Sequence, residues 1–160
     1  MQSEELDADL LRAVDGICDL GDGLVSGGAL GVDFLATERF MTKVDNWAER
    51  MKVIIPTQLE VFAEHYFRRA QEGVITVEQA EKLVGQLKTA KESGALIEMD
   101  FDVLNEDTYF ARNTEVVKNS DVLLAFQING SRGVQDTIEK ALNMNKEVIL
   151  KKYEVGEVGV

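Results

Sequence analysis

The sequence is poor in the residues that build metal sites and covalent staples. One cysteine, Cys18, and one histidine, His65, stand in 160 residues. That excludes an internal disulfide framework and leaves too few ligands for a zinc site. A lone cysteine fits a reducing compartment, so a cytoplasmic location is expected. Pro56 is the only proline, and no low-complexity tract or linker divides the chain. No apolar run approaches the roughly 20 residues that span a bilayer. The N-terminus, MQSEELDADL, is acidic and has no apolar signal core, so no membrane partner is expected. Positive charge is also scarce: 17 Lys and Arg against 29 Asp and Glu leave a formal net charge of −12. Non-specific affinity for nucleic acid comes largely from Lys and Arg neutralising phosphates. With no Lys/Arg run present, nucleic acid is not the expected partner.

What is there reads as one domain over residues 1–160. Ser3 can cap a helix over residues 4–19, on which Leu6, Leu10, Ala13, Val14 and Ile17 recur at helical spacing. A short strand at 23–26 ends in glycines. Helical periodicity then runs from Val32 to Met51. KVIIP reads as the next strand, closed by Pro56. Residues 58–95 read as two helices, the first ended by Gly73 and the second opened by the capping box TVEQ. LIEMDFDVL alternates like a half-exposed strand. A helix from Asn105 or Asp107 to about Asn119 leads to DVLLAF, the clearest buried strand. A further helix to about Asn145 leads to the strand KEVILKKY, and the tail EVGEVGV alternates weakly. Strands alternating with helices predict an α/β fold, a Rossmann-like three-layer sandwich with a mainly parallel sheet. The 58–95 helices would be an insertion, or a cap over one end of that sheet. Such domains usually begin with a strand. This chain begins with a helix, so either a first strand is missing or the tail replaces it.

Two loops follow strands, carry glycines and open helices: SGGALGVD after 23–26, and QINGSRGVQD after 121–126. In a parallel sheet, ligands sit beyond the carboxyl ends of the strands. Helix N-termini offer unpaired N–H groups and the positive end of the dipole, which favour phosphate. Glycine lets a ligand approach the backbone closely. Ser26, Ser131 and Arg132 would add side-chain contacts, and the planar fork of an arginine suits phosphate. The expected ligand bears a phosphate, although a bare turn explains either loop alone. The spacing matches neither the dinucleotide fingerprint nor the Walker lysine loop. No cofactor and no metal are expected.

SGGALGVDFLA and YFARNTEVVKNSDVLLAFQINGSRGVQDTIEKA together resemble the SLOG superfamily of Rossmann-like domains, in particular its small stand-alone bacterial type. That group includes the nucleotide-binding domain of DNA-processing proteins and the lonely-guy phosphoribohydrolases. The resemblance covers residues 23–51 and 109–150 and leaves out 58–95. It implies a nucleotide pocket whose first half is Gly27, Gly28, Ala29, Gly31 and Asp33. Asp33 would more readily brace the glycine loop than touch ligand. Gly130, Ser131, Arg132, Gly133 and Val134 would hold the phosphate, and Arg112 and Asn113 would project into the same cleft. A bulky residue at Gly28 would then block ligand and leave the fold intact.

The resemblance leaves three functions open. The first is a sensor that binds a nucleotide or nucleotide-derived signal. The second is an enzyme that cleaves or transfers at a nucleotide N-glycosidic bond, with Arg112 and Asp136 as catalytic residues. The third is single-stranded DNA binding, against which the net charge argues. For the enzyme, the relatives' PGGxGTxxE loop is replaced by NGSRGVQDTIE, so the carboxylate becomes Asp136 or Glu139. A carboxylate must lie close to a developing oxocarbenium ion, and Asp136 is shorter than glutamate by a methylene. His65 and Cys18 read as packing residues. Glu98, Asp100 and Asp102 read as a solvated strand face rather than a Mg²⁺ site. Among Tyr66, Phe67, Tyr109 and Phe110, one could stack on a base, but core packing is the blander use. Wide apolar stripes at 32–51 and 58–72 point to a homodimer or higher homo-oligomer.

Overall fold

The computed structural model describes residues 3–156. Helix α1 (Glu4–Leu20) starts where the Ser3 hydroxyl accepts the Leu6 N–H, and it ends at Gly21 in the left-handed conformation. Strand β1 (Leu24–Ser26) enters the first glycine loop. The helix expected from 32 to 51 is broken. α2 (Val32–Lys43) stops at Val44, which is extended, and a single turn, α3 (Trp47–Arg50), follows Asn46. Strand β2 (Met51–Thr57) runs through Pro56. Proline has no N–H to donate, and the ladder to the next strand is irregular between Ile55 and Thr57.

The helical pair is present as α4 (Leu59–Gln71) and α5 (Val77–Glu92). The Thr76–Gln79 capping box opens α5. Strand β3 (Leu96–Phe101) is half-exposed as expected. The Asn105–Thr108 capping box opens α6 (Glu106–Lys118). Strand β4 (Val122–Ile128), helix α7 (Arg132–Asn143) and strand β5 (Glu147–Tyr153) complete the order. Most of the EVGEVGV tail lies outside the described residues, and Glu154–Gly156 form no strand. No described helix is long and apolar enough to cross a membrane.

The fold is the Rossmann-like α/β sandwich, but its sheet is divided. β1, β2 and β3 pair in parallel in that order, and β4 pairs in parallel with β5. No strand ladder joins the two groups among the described residues. Helix α2 packs on β1, α4 on β2 and α5 on β3, while α6 also packs on β2 and α7 packs on β4 and β5. The core centres on β2: Val53 and Ile55 cluster with Phe40, Phe62 and Leu87, and Ile54 is buried outside that cluster, all at 1% exposure or less. β4 is less buried than its apolar sequence predicts. Val122 is 42% exposed, Leu123 and Leu124 are half-buried, and only Ala125–Gln127 are fully covered. Part of the apolar stripes of α2 and α4 is used inside this chain, while Phe67 stays 37% exposed. Phe40, Leu59, Phe62 and Tyr66 are buried inside this chain.

Candidate functional site

The two glycine loops line one cleft of about 1340 Å³ at the carboxyl ends of β1 and β4. Each loop forms for a local reason. After β1, Gly28 and Gly31 take positive φ angles of 67° and 86°, which lets a strand turn directly into a helix. The Asp33 carboxylate braces that loop by accepting the Ala29 N–H at 3.3 Å. After β4, Asn129 and Gly130 both have positive φ, and the Ser131 N–H closes the turn on the Ile128 carbonyl at 3.0 Å.

Helix α6 ties the loops together. The Arg112 guanidinium donates to the Gly27 carbonyl on one side and, through Nε, to Asn113 Oδ1 at 3.1 Å. Asn113 Nδ2 donates in turn to the Gly133 carbonyl at 3.3 Å and to Asp136 at 3.2 Å. A Cβ at Gly27 would stand 2.8 Å from the guanidinium carbon of Arg112. The absent side chain of Gly27 therefore makes room for an arginine. Gly28 is different. A Cβ there would meet Ile55 at 2.6 Å and Val53 at 3.2 Å, and Gly28 does not line the cleft. The expectation that a bulky residue at Gly28 blocks ligand without disturbing the fold is corrected: that side of the loop is packed on the core.

Arg112 is 8% exposed and forms no ion pair among the described residues. Its guanidinium lies 5.5 Å from the centroid of Tyr109. Tyr109 and Tyr66 line the cleft beside it. Burial raises the pKa of both phenols, and the Arg112 charge pulls in the opposite direction. Both stay protonated and can donate. Burial, followed by the charges of Arg69 and Arg68, lowers the His65 pKa, so a neutral imidazole faces the cleft at pH 7.

The structure sorts the expected site residues into two groups. Ser26, Gly27, Ala29, Gly31, Asp33, Arg112, Asn113, Ser131, Gly133 and Val134 line the cleft. Ser26 is itself held by Thr37, oxygen to oxygen at 3.1 Å. Gly28, Gly130, Arg132, Asp136 and Glu139 do not. Arg132 pairs with Glu106 at 2.9 Å on the surface. Asp136 is held by Lys140 at 2.8 Å and, with Arg132 and Glu139, borders a separate hollow of about 240 Å³. Tyr66, Tyr109 and Phe110, which the sequence offered as aromatics beside the cleft, do line it, and Phe67 does not. Sequence reasoning missed the polar share taken by the 58–95 helices: His65, Arg69, Gln79 and Lys82 also reach the cleft. The basic residues on α4 and α5 were the available signal, but they lie outside the resemblance. Of the acids on β3, Glu98 accepts the Leu59 N–H at 2.7 Å and caps α4 from another element. No group of acids and histidines suited to a metal occurs among the described residues.

No protein-family profile matches the chain, and no curated protein matches it in sequence. In structure it is similar to DNA processing protein A from Helicobacter pylori, whose solved structure concerns a unique mode of single-stranded DNA binding. The TM-score is 0.66 at 19% identity, over 99% of this chain and 63% of that one. The chain thus spans less than two thirds of that protein, and the likeness is one of fold. It overturns the expectation that nucleic acid is not a partner class. Net charge sums over a whole surface, whereas a strand meets only a cleft. In this cleft the cations Arg69, Lys82 and Arg112 balance the carboxylates Asp7, Asp33 and Glu106, although the chain as a whole carries −12.

Proposed function

We propose that the chain binds single-stranded DNA and receives one phosphate of the strand where the two glycine loops meet Arg112. Arg112 carries the reading. A buried guanidinium without a carboxylate is costly until an anion arrives. A phosphate oxygen pair matches its fork and is stabilised further by the N-termini of α2 and α7. Gly27, Ala29, Gly31, Asn113, Ser131 and Gly133 would frame that anion, and Arg69 would meet a neighbouring phosphate. Tyr66, Tyr109 and Phe110 line the same cleft and offer ring faces or edges to bases, the sequence-tolerant part of single-strand recognition. The fold shared with DNA processing protein A supports the choice of strand over free nucleotide.

A second reading has its own support. The cleft of about 1340 Å³ has room for a free nucleoside monophosphate as a signal, as the SLOG-like motifs suggest. Cleavage of an N-glycosidic bond is less favoured, because Asp136 is held by Lys140 outside the cleft.

The test is fluorescence anisotropy with a labelled oligothymidylate of about 16 nucleotides, beside thermal shift with thymidine monophosphate. Binding of the oligonucleotide is expected, and Arg112→Gln should weaken it by at least about tenfold. Stabilisation by the monophosphate with no oligonucleotide binding would transfer the site to the sensor reading. If neither ligand binds, the anion cradle is wrong. Release of free base from the monophosphate would establish the enzyme instead.

A further inference from the structure

Asp136 lies outside the cleft, yet a chain of hydrogen bonds runs from it to the buried guanidinium of Arg112. Its Oδ2 accepts the Asn113 Nδ2 at 3.2 Å and the Lys140 ammonium at 2.8 Å. Asn113 Nδ2 also donates to the Gly133 carbonyl at 3.3 Å, and Asn113 Oδ1 accepts the Arg112 Nε–H at 3.1 Å. These partners fix which way the amide points. Turned over, its oxygen would face a carbonyl and a carboxylate, and its NH2 would face an N–H. The bond to the carboxylate is charge-assisted, so it is the strong member of the set.

The orientation of Asn113 decides how Arg112 is presented. Its Nε–H is spent on Asn113 and one further N–H on the Gly27 carbonyl. The remaining N–H groups of the fork are left for the cleft. A neutral amide between Asp136 and Arg112 passes on direction without passing on charge. Asp136 pairs with Lys140 instead, their side chains only 17% and 24% exposed. Lys140 is tied in turn to the Phe110 carbonyl on α6, the helix that carries Arg112 and Asn113. No carboxylate pairs with Arg112 among the described residues. The guanidinium is therefore held in place and keeps its full charge for an incoming anion.

We propose that Asp136 is a positioning residue: it acts through Asn113 to aim the Arg112 guanidinium into the cleft. The proposal rests on the reading that Arg112 receives a phosphate there. It gives the first turns of α7 a task that needs no contact with the ligand.

The test is a double-mutant cycle on the full chain, read by anisotropy with the same labelled oligothymidylate. Asp136→Ala should weaken binding by about threefold to tenfold. Asp136→Leu keeps the branched shape without an acceptor and should do the same, which guards against a fold lost to the alanine. Asp136→Asn keeps an acceptor oxygen and should restore most of the affinity. Asp136→Ala combined with Arg112→Gln should bind within about twofold of Arg112→Gln alone, because both act through one guanidinium. Losses that multiply in the double variant, parent-like binding by the alanine and leucine variants, or no recovery with asparagine would each overturn the proposal. A second measurement needs no ligand. In NMR spectra of the side-chain N–H groups, the Arg112 Nε–H should exchange slowly with water in the parent and rapidly in Asp136→Ala and Asp136→Leu. Equal protection in parent and variants overturns the proposal. If the parent binds no oligonucleotide, the strand reading fails by itself, and the exchange of that N–H still decides whether Asp136 positions Arg112.

Discussion

Adjacent glycines 27 and 28 look interchangeable in the sequence, yet the structure uses them for different ends. At Gly27 the neighbour is the far end of the Arg112 side chain. Gly27→Ala should therefore displace that guanidinium and weaken anion binding while the thermal midpoint changes little. At Gly28 the neighbours are core side chains and φ is 67°. Gly28→Ala should cost about 2 kcal/mol or more in overpacking and backbone strain, read by chemical denaturation. If the two variants lose equal stability, Gly27 also serves packing. Arg112→Met offers a converse check. Removing a buried charge that lacks a carboxylate should leave the ligand-free midpoint within a few degrees while binding is lost. A large fall in that midpoint would make Arg112 structural. The sequence could show that these loops need bare backbone. It could not show that the close neighbours are Arg112 and Ile55, because both lie far along the chain.

Helices and strands were legible wherever a capping side chain and a clear period coincided, as at Ser3, Thr76 and Asn105. The helix that was misread, 32–51, kept an apolar pattern through a break at Val44, since buried residues of an irregular segment also recur every three or four positions. The divided sheet was not legible at all, because periodicity describes a strand and not its neighbours. Between elements, charge pairs fix the packing of α1 on α2. Arg39 donates to both carboxylate oxygens of Asp15, at 2.8 and 3.0 Å, and Lys43 lies 3.4 Å away. The Arg39 hydrogen bonds lead the effects that hold the Asp15 pKa at about 2, below its ordinary 3.8. A depressed carboxylate pKa adds stability that is fully present above the unfolded value and is lost as pH falls through the folded one. Asp15→Asn should thus lower the midpoint at pH 7. The gap between variant and parent should close between pH 4 and pH 2. A gap that persists below pH 2 would mean that the asparagine disturbs packing rather than charge.

At the scale of the whole molecule, a net charge of −12 surrounds a cleft whose own charges balance. These two fields act on different steps of strand capture. Long-range repulsion between an acidic protein and a polyanion slows encounter, and salt screens it. Contact with phosphate inside the cleft releases counterions, and salt weakens it. With two or three cations meeting phosphates, the slope of log K against log salt should be about −1.4 to −2 for a single strand, shallow beside that of a basic binder. The association rate should rise, not fall, as salt increases from about 10 mM to 150 mM, because the Debye length shrinks from about 30 Å to 8 Å. Dissociation must then rise faster, so that affinity still drops. Stopped-flow anisotropy with oligothymidylate separates the two rates. An association rate that falls with salt would mean that the strand is steered by a positive track outside this cleft, and the cradle at Arg112 would not be where it binds first.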